Sequence, residues 1–158
     1  MRVISGTARG KKLNTLSGLN TRPTLDRVKE AVFSIIQFDL EDKCVLDLFS
    51  GSGALAIESL SRGAKYAVLC DNSYEAIRII KQNIKETKFE DKSEIINKDY
   101  VEKSIEYISK YNLLAENGII IVETNDKNKI DEIKAKKGLE VYDTRKYGIA
   151  IIIFIRKE

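Results

Sequence analysis

Three observations predict an α/β protein with a mostly parallel, doubly wound sheet. Short apolar runs of strand length alternate with amphipathic helical stretches from residue 44 onward. The run Ile149 to Ile155 is almost unbroken in its apolarity, as strands buried on both faces are. The first run, Cys44 to Phe49, breaks into Ser50-Gly51-Ser52-Gly53 just before a helical pattern, a strand-to-helix turn. At 158 residues, 43% hydrophobic and 32% charged, the chain suits one ordinary domain with a real core and is too apolar for disorder.

The elements follow in order. Residues 2–5 and 11–14 flank a glycine-containing stretch, Gly6 to Gly10, and predict a short hairpin. Residues 15–24 are polar with the one proline, Pro23, and read as a loop. Thr24 is placed to cap a helix carrying Val28, Ala31, Val32, Ile35 and Ile36 on one face, running to about Phe38. After the glycine turn, Ala54 to Leu60 reads as a helix stopped near Gly63. Tyr66 to Cys70 is a second buried strand closed by Asp71-Asn72. Residues 74–86 form a helix with Ala76, Ile77, Ile80 and Ile84 on one face. Ser93 to Asn97 is a third strand, and residues 101–113 a helix. Ile119 to Glu123 is a strand and residues 126–136 a polar helix. Leu139 to Arg145 and Ile149 to Ile155 make a terminal antiparallel hairpin turning at Tyr147-Gly148.

Composition excludes several chemistries. Histidine is absent, which removes His-based triads, His-ligated metals and His general bases. Two cysteines, Cys44 and Cys70, form neither a disulfide framework nor a four-ligand zinc set, so free buried thiols and no metal site are expected. No apolar run approaches the ~18 residues of a membrane span. The opening Met1-Arg2-Val3-Ile4-Ser5-Gly6 lacks a signal-peptide core, so a cytoplasmic protein without membrane partners is expected. Charge is uneven. Residues 1–30 hold the bases Arg2, Arg9, Lys11, Lys12, Arg22, Arg27 and Lys29 against the acids Asp26 and Glu30, whereas the whole chain is only +3. A basic N-terminal surface suits phosphates; a solvated Lys/Arg hairpin is the plainer alternative.

The glycine turn carries the strongest chemical signal. Small residues let the backbone turn sharply and approach a ligand while the next helix presents its N-terminus. Asp71 closes the second strand about 20 residues beyond Gly51, where an acid can accept hydrogen bonds from ribose hydroxyls. The pattern is neither the dinucleotide fingerprint, which needs a third glycine in phase, nor a P-loop. Asp47 would repel a pyrophosphate and suits a cationic ligand such as the ammonium end of S-adenosylmethionine. A ligand-free tight turn is the bland alternative.

The segments Thr21-Arg22-Pro23-Thr24 with Asp26 to Phe33, and Leu46 to Leu55 with Glu58 to Ala64, closely resemble the RsmD-type family. The opening Arg2 to Gly6 with Arg9-Gly10-Lys11-Lys12-Leu13, and the ending Lys146-Tyr147-Gly148 before an apolar strand, are similar to it too. These are S-adenosylmethionine-dependent methyltransferases of the guanine N2 amine in small-subunit ribosomal RNA. The resemblance implies a Rossmann-like class I methyltransferase fold with a C-terminal antiparallel hairpin. It divides the chain into a basic hairpin and loop, residues 1–23, that extends a methyltransferase domain, residues 24–158.

By position, the resemblance implies that Asp47, Phe49, Gly51, Ser52 and Gly53 form the cofactor loop. Asp71 would hold the ribose, Asn72 would lie beside the adenine and Asp99 would approach the adenine amine. Arg22, Thr24 and Arg27 would line the methionine end or the substrate mouth. Arg2, Arg9, Lys11, Lys12 and Arg22 would contact RNA, either ribosomal RNA or an assembling small subunit, with the protein a monomer. Thr24 as a helix cap only, and Arg27 as a plain surface charge, are the competing readings.

One departure matters. Amino-methylating families of this type carry Asp/Asn-Pro-Pro-Tyr/Phe after the fourth strand. Acceptors on that turn hydrogen-bond the amine protons, and the aromatic ring stacks on the flipped base. With Pro23 the one proline, the motif and its catalytic residues are absent. The family's strand order resembles 3-2-1-4-5-7-6, and here the third strand leads straight into the helix that would follow the catalytic turn. An interior segment of about 20–30 residues is therefore expected to be missing between about Asp99 and Val101. Two other functions compete with rRNA methylation: a catalytically inactive RNA-binding relative, and an amino-methylase of adenine in DNA.

Overall fold

The computed structural model describes residues 1–16, 23–98 and 104–158. They fall into two compact units, Met1–Asp99 and Tyr100–Glu158.

The first unit opens on the hairpin. Its two arms meet in one antiparallel bridge, Arg2 to Lys12. Val3 N–H donates to Lys11 O at 3.0 Å, and Gly10 N–H returns to Val3 O at 2.9 Å. Val3, Ala8 and Leu13 point into the core, leaving Arg2, Arg9, Lys11 and Lys12 exposed. Helix α1 spans Pro23–Ile35. It begins two residues earlier than the expected Thr24 cap implies, because proline suits the first helical position. Thr24 thus lies within the first turn rather than at the cap, and the helix stops short of Phe38.

Strand β1 (Cys44–Asp47), helix α2 (Ala54–Ser61), strand β2 (Tyr66–Asp71), helix α3 (Tyr74–Thr87) and strand β3 (Ser93–Asn97) follow. A single 3-10 turn, Glu90–Lys92, precedes β3. The strands run parallel in the order β1-β2-β3. Ser73 caps α3 by accepting from Ala76 N–H at 3.3 Å. The core gathers Ile57, Leu60, Leu69, Ile80 and Ile84 between sheet and helices. Each such side chain contributes roughly 1.5–3 kcal/mol by leaving water.

The second unit contains α4 (Ser104–Lys110), β4 (Ile119–Thr124), α5 (Asn128–Lys134), β5 (Leu139–Tyr147) and β6 (Ala150–Lys157). Its sheet is antiparallel, in the order β4-β6-β5. Strand β6 is central, and Ile151 through Ile155 are all buried, as the uninterrupted apolar run requires. A register shift between Val141 and Asp143 bulges β5.

The α/β class is as predicted, and the pairing is divided. The two sheets reproduce the halves 3-2-1 and 5-7-6 of the expected order. Among the described residues β1 pairs only with β2 and β4 only with β6, and no strand pairs with either as the expected fourth strand would.

Cys70 is buried as expected, but Cys44 is exposed. It opens β1, which among the described residues pairs with β2 alone. No helix of the described residues is long and apolar enough to cross a membrane.

Candidate functional site

The turn after β1 is built by backbone geometry. Gly51 and Gly53 adopt φ of +54° and +77°, a region L side chains rarely enter. A Cβ on Gly53 would also stand 3.0 Å from Leu69 Cδ2, so this turn packs directly on the core. At Gly51 an added Cβ would meet nothing within 4 Å, so the backbone there borders open space. Ser50 N–H donates to Cys70 O at 3.0 Å, and Gly53 N–H closes the turn on Ser50 O at 2.6 Å. Gly53 is the left-handed N-cap of α2 and offers no side chain to its first N–H groups.

Asp71 braces this loop. One carboxylate oxygen accepts Gly51 N–H at 2.9 Å, and the other accepts Ser73 N–H at 2.9 Å. The acid expected to meet ribose hydroxyls therefore also ties the glycine turn to the start of α3. Each oxygen retains a second acceptor direction.

Asp47 is the electrostatic anomaly. Its Oδ2 is buried and makes no hydrogen bond. Burial pushes its carboxyl up to about 6, with the Ser50 side chain and the Ala56 and Phe49 backbones pulling the other way and Asp71 reinforcing the rise. A buried acceptor left without a donor costs about 1–3 kcal/mol. Such a group calls for a donor or a cation, and it disfavours a phosphate. That donor chemistry fits the ammonium of a methionine-type cofactor.

The structure thus gathers Asp47, Phe49, Gly51, Ser52, Gly53 and Asp71 around one turn. Phe49 is 59% exposed at its rim. Asn72 follows Asp71 directly and is exposed. Arg27 is exposed on α1, and none of the described hydrogen bonds or ion pairs brings it to the turn. Arg22 and Asp99 lie outside the described residues, and Thr24 is described through its backbone alone. Among the described residues no group of three or more acids and cysteines could hold a metal ion.

Two polar anchors escaped the sequence reading. Glu58, 0% exposed, accepts Ile4 and Ser5 N–H at 2.8 and 3.0 Å and pairs with Arg62 at 2.8 Å and Lys29 at 3.4 Å. Lys29 in turn donates to Arg2 O at 2.6 Å, and burial lowers its pKa despite the neighbouring Glu58. The second anchor is Asn83, also 0% exposed. A signal existed for both. Each is a polar residue one turn from apolar ones, Ala54 and Leu55 in one case, Ile79 and Ile80 in the other.

A family model described as Conserved hypothetical protein 95 matches residues 1–104. A Bacillus subtilis protein named "Putative rRNA methyltransferase YlbH" is 30% identical over 186 residues, covering 99% of this chain and 99% of the relative. Those 186 aligned positions against 158 residues leave at least 28 without a counterpart here. The Escherichia coli ribosomal RNA small subunit methyltransferase D is 44% identical over 71 residues, 45% of this chain and 36% of that protein. So the chain spans nearly all of the first relative and about a third of the second. The solved structure named "Putative methyltransferase yhhF from Escherichia coli" superposes with a TM-score of 0.87 at 24% identity, covering 100% of this chain and 98% of that one. That likeness carries the fold, and the expected Rossmann-like methyltransferase architecture is borne out.

Proposed function

Because the chain belongs to the Conserved hypothetical protein 95 family, the RsmD-type methyltransferases, we propose that it methylates small-subunit ribosomal RNA at the N2 amine of a guanine, with S-adenosylmethionine as donor. The observation that carries the reading is the braced glycine turn with the unpartnered Asp47 oxygen beside it. When bound, S-adenosylmethionine supplies an electrophilic sulfonium methyl that the amine attacks in line, with the bonding electrons staying on sulfur and the amine giving up a proton.

The chain's own residues then have distinct tasks. Asp47 takes the cofactor's ammonium and regains the hydrogen bond its Oδ2 lacks. Gly51, Ser52 and Gly53 let the backbone approach the cofactor closely, and Asp71 both holds that turn and accepts from the ribose. Phe49 lies exposed at the rim, with Asn72 beside the adenine; Asp99, Thr24 and Arg27 complete the proposed pocket. Arg2, Arg9, Lys11, Lys12 and Arg22 meet RNA phosphates, which position the substrate without reading its sequence.

We also propose that an interior segment is missing between about Asp99 and Val101. The unfilled fourth strand position and the 28 or more unmatched positions of the Bacillus subtilis alignment support it. A chain without that segment has no Pro-Pro turn to hold the amine, and this favours the second reading: a binding protein that kept the fold and lost the chemistry. Sequencing the gene between the codons for Asp99 and Val101 separates the two. The leading reading is tested by incubating the protein with labelled S-adenosylmethionine and unmethylated small-subunit rRNA, naked and in particles, beside duplex DNA. N2-methylguanosine in RNA is expected; label confined to DNA adenine, or no transfer at all, refutes it.

A further inference from the structure

The basic hairpin and the glycine turn are far apart in sequence, yet one buried side chain holds both. Asn83 Nδ2 donates to Ser52 O at 2.8 Å, in the turn, and to Asn14 O at 2.9 Å, at the hairpin's exit. Its Oδ1 accepts Asn14 N–H at 2.8 Å and Asn14 Nδ2 at 3.0 Å. All four hydrogen-bonding directions of the amide are used, two donated and two accepted. We propose that Asn83 is a positioning residue that couples the glycine turn to the hairpin, so that cofactor and RNA each tighten the binding of the other. This rests on the cofactor and RNA reading above.

The rest of the mounting makes such transmission physically reasonable. The hairpin's near end is fixed to α2: Glu58 holds Ile4 and Ser5, and the Ser61 side chain accepts Ala8 N–H at 2.9 Å. The hairpin's exit, by contrast, is held through Asn14 by Asn83. The same amide holds the carbonyl of Ser52, between the two positive-φ glycines. A ligand that selects one conformation of the turn therefore selects the placement of the Ser52 carbonyl. Through Nδ2 it also selects that of Asn14. Reciprocity is then required, since coupling of two binding equilibria is symmetric.

Two full-length variants open the bridge from opposite ends. Asn83→Asp keeps the volume but replaces the donor facing two carbonyls with an acceptor. Asn14→Pro removes the N–H at the hairpin end and leaves α3 intact. Amide hydrogen exchange without any ligand is the first readout. Asn14→Pro is expected to speed exchange at Gly53, next to the Ser52 carbonyl that Asn83 holds, and Asn83→Asp to speed it at Gly53 and Asn14 together. Unchanged Gly53 exchange in Asn14→Pro overturns the bridge. The second readout is binding of S-adenosylhomocysteine and of a small-subunit rRNA transcript, separately and together. In the native chain each is expected to tighten the other by roughly tenfold. In Asn14→Pro that factor falls to about one. Lost thermal stability with the factor intact marks a purely structural role and overturns the proposal, as does a native factor of one. If S-adenosylhomocysteine does not bind the native chain, the cofactor reading fails, and the exchange experiment still decides whether Asn83 joins the two segments.

Discussion

Replacing Asp47 with asparagine should stabilise the empty protein while weakening the cofactor complex. The carboxyl is raised from 3.8 to about 6 in the folded chain. A raised acid contributes stability that is fully present below pH 3.8 and is lost as the pH rises through 6. At pH 7.5 the folded chain therefore carries the whole penalty of an ionised Asp47 whose Oδ2 is buried, about 3 kcal/mol at most. Asp47→Asn keeps the shape and removes the charge, though its amide N–H needs an acceptor of its own. Without cofactor, the variant should melt higher than the native chain at pH 7.5, by up to roughly 6–12 °C. Near pH 4 the difference should shrink toward zero. With S-adenosylhomocysteine the order reverses: losing a buried charged hydrogen bond weakens binding by roughly 10–150-fold. Calorimetric melting at both pH values, paired with titration of the ligand, reads all of this. A variant no more stable than native at pH 7.5, or one that binds the ligand undiminished, refutes the assignment of Asp47.

Four further outcomes are expected. Glu58→Gln leaves Lys29, 3% exposed, without its counter-charge and should cost about 3–5 kcal/mol. Because the Lys29 pKa is already lowered by burial, this loss should ease as pH rises toward 10.5, seen in urea melts across pH. Gly6→Ala sets a Cβ 1.7 Å from Ser61 O at a φ of +83° and should undock the hairpin, costing at least about 2 kcal/mol by the same melts. A thiol reagent should label exposed Cys44 in the native protein and reach Cys70 only after unfolding; burial also raises the Cys70 thiol. Lys11→Gln and Lys12→Gln should each lower the salt slope of RNA binding by roughly 0.7–0.9, measured by filter binding across salt.

What was legible in the sequence was whatever local physics dictates. Gly51 and Gly53 declare themselves because positive φ restricts side-chain choice, and β6 because an unbroken apolar run has few other solutions. Pro23 displaced Thr24 from the cap since both residues favour a helix start, and local preference alone ranks them poorly. The Asp71 position followed from the strand-turn-helix spacing, but its bonds to Gly51 and Ser73 N–H depend on how the turn folds back. Glu58 holds backbone N–H groups 53 and 54 positions away, and Asn83 holds groups 31 and 69 positions away. Sequence pattern marks them as misplaced polar groups and says nothing of what they hold. Cys44 looked buried because its run is apolar; the pairing shows that it starts a strand with one partner among the described residues.

The order β4-β6-β5 has a consequence for how the chain is made. In the first unit each strand pairs with the one translated just before it, so that sheet can assemble as it emerges. In the second unit β4 emerges early, and its one described partner is β6, which arrives only after β5. Until then its Ile119-Ile120-Ile121-Val122 run lacks that partner, and an apolar strand edge of this kind is prone to misassembly. The bulged, charge-bearing β5, with Asp143 and Arg145, offers a poorer surface for such pairing, so of these two strands β4 is the more exposed to misassembly while it waits for β6.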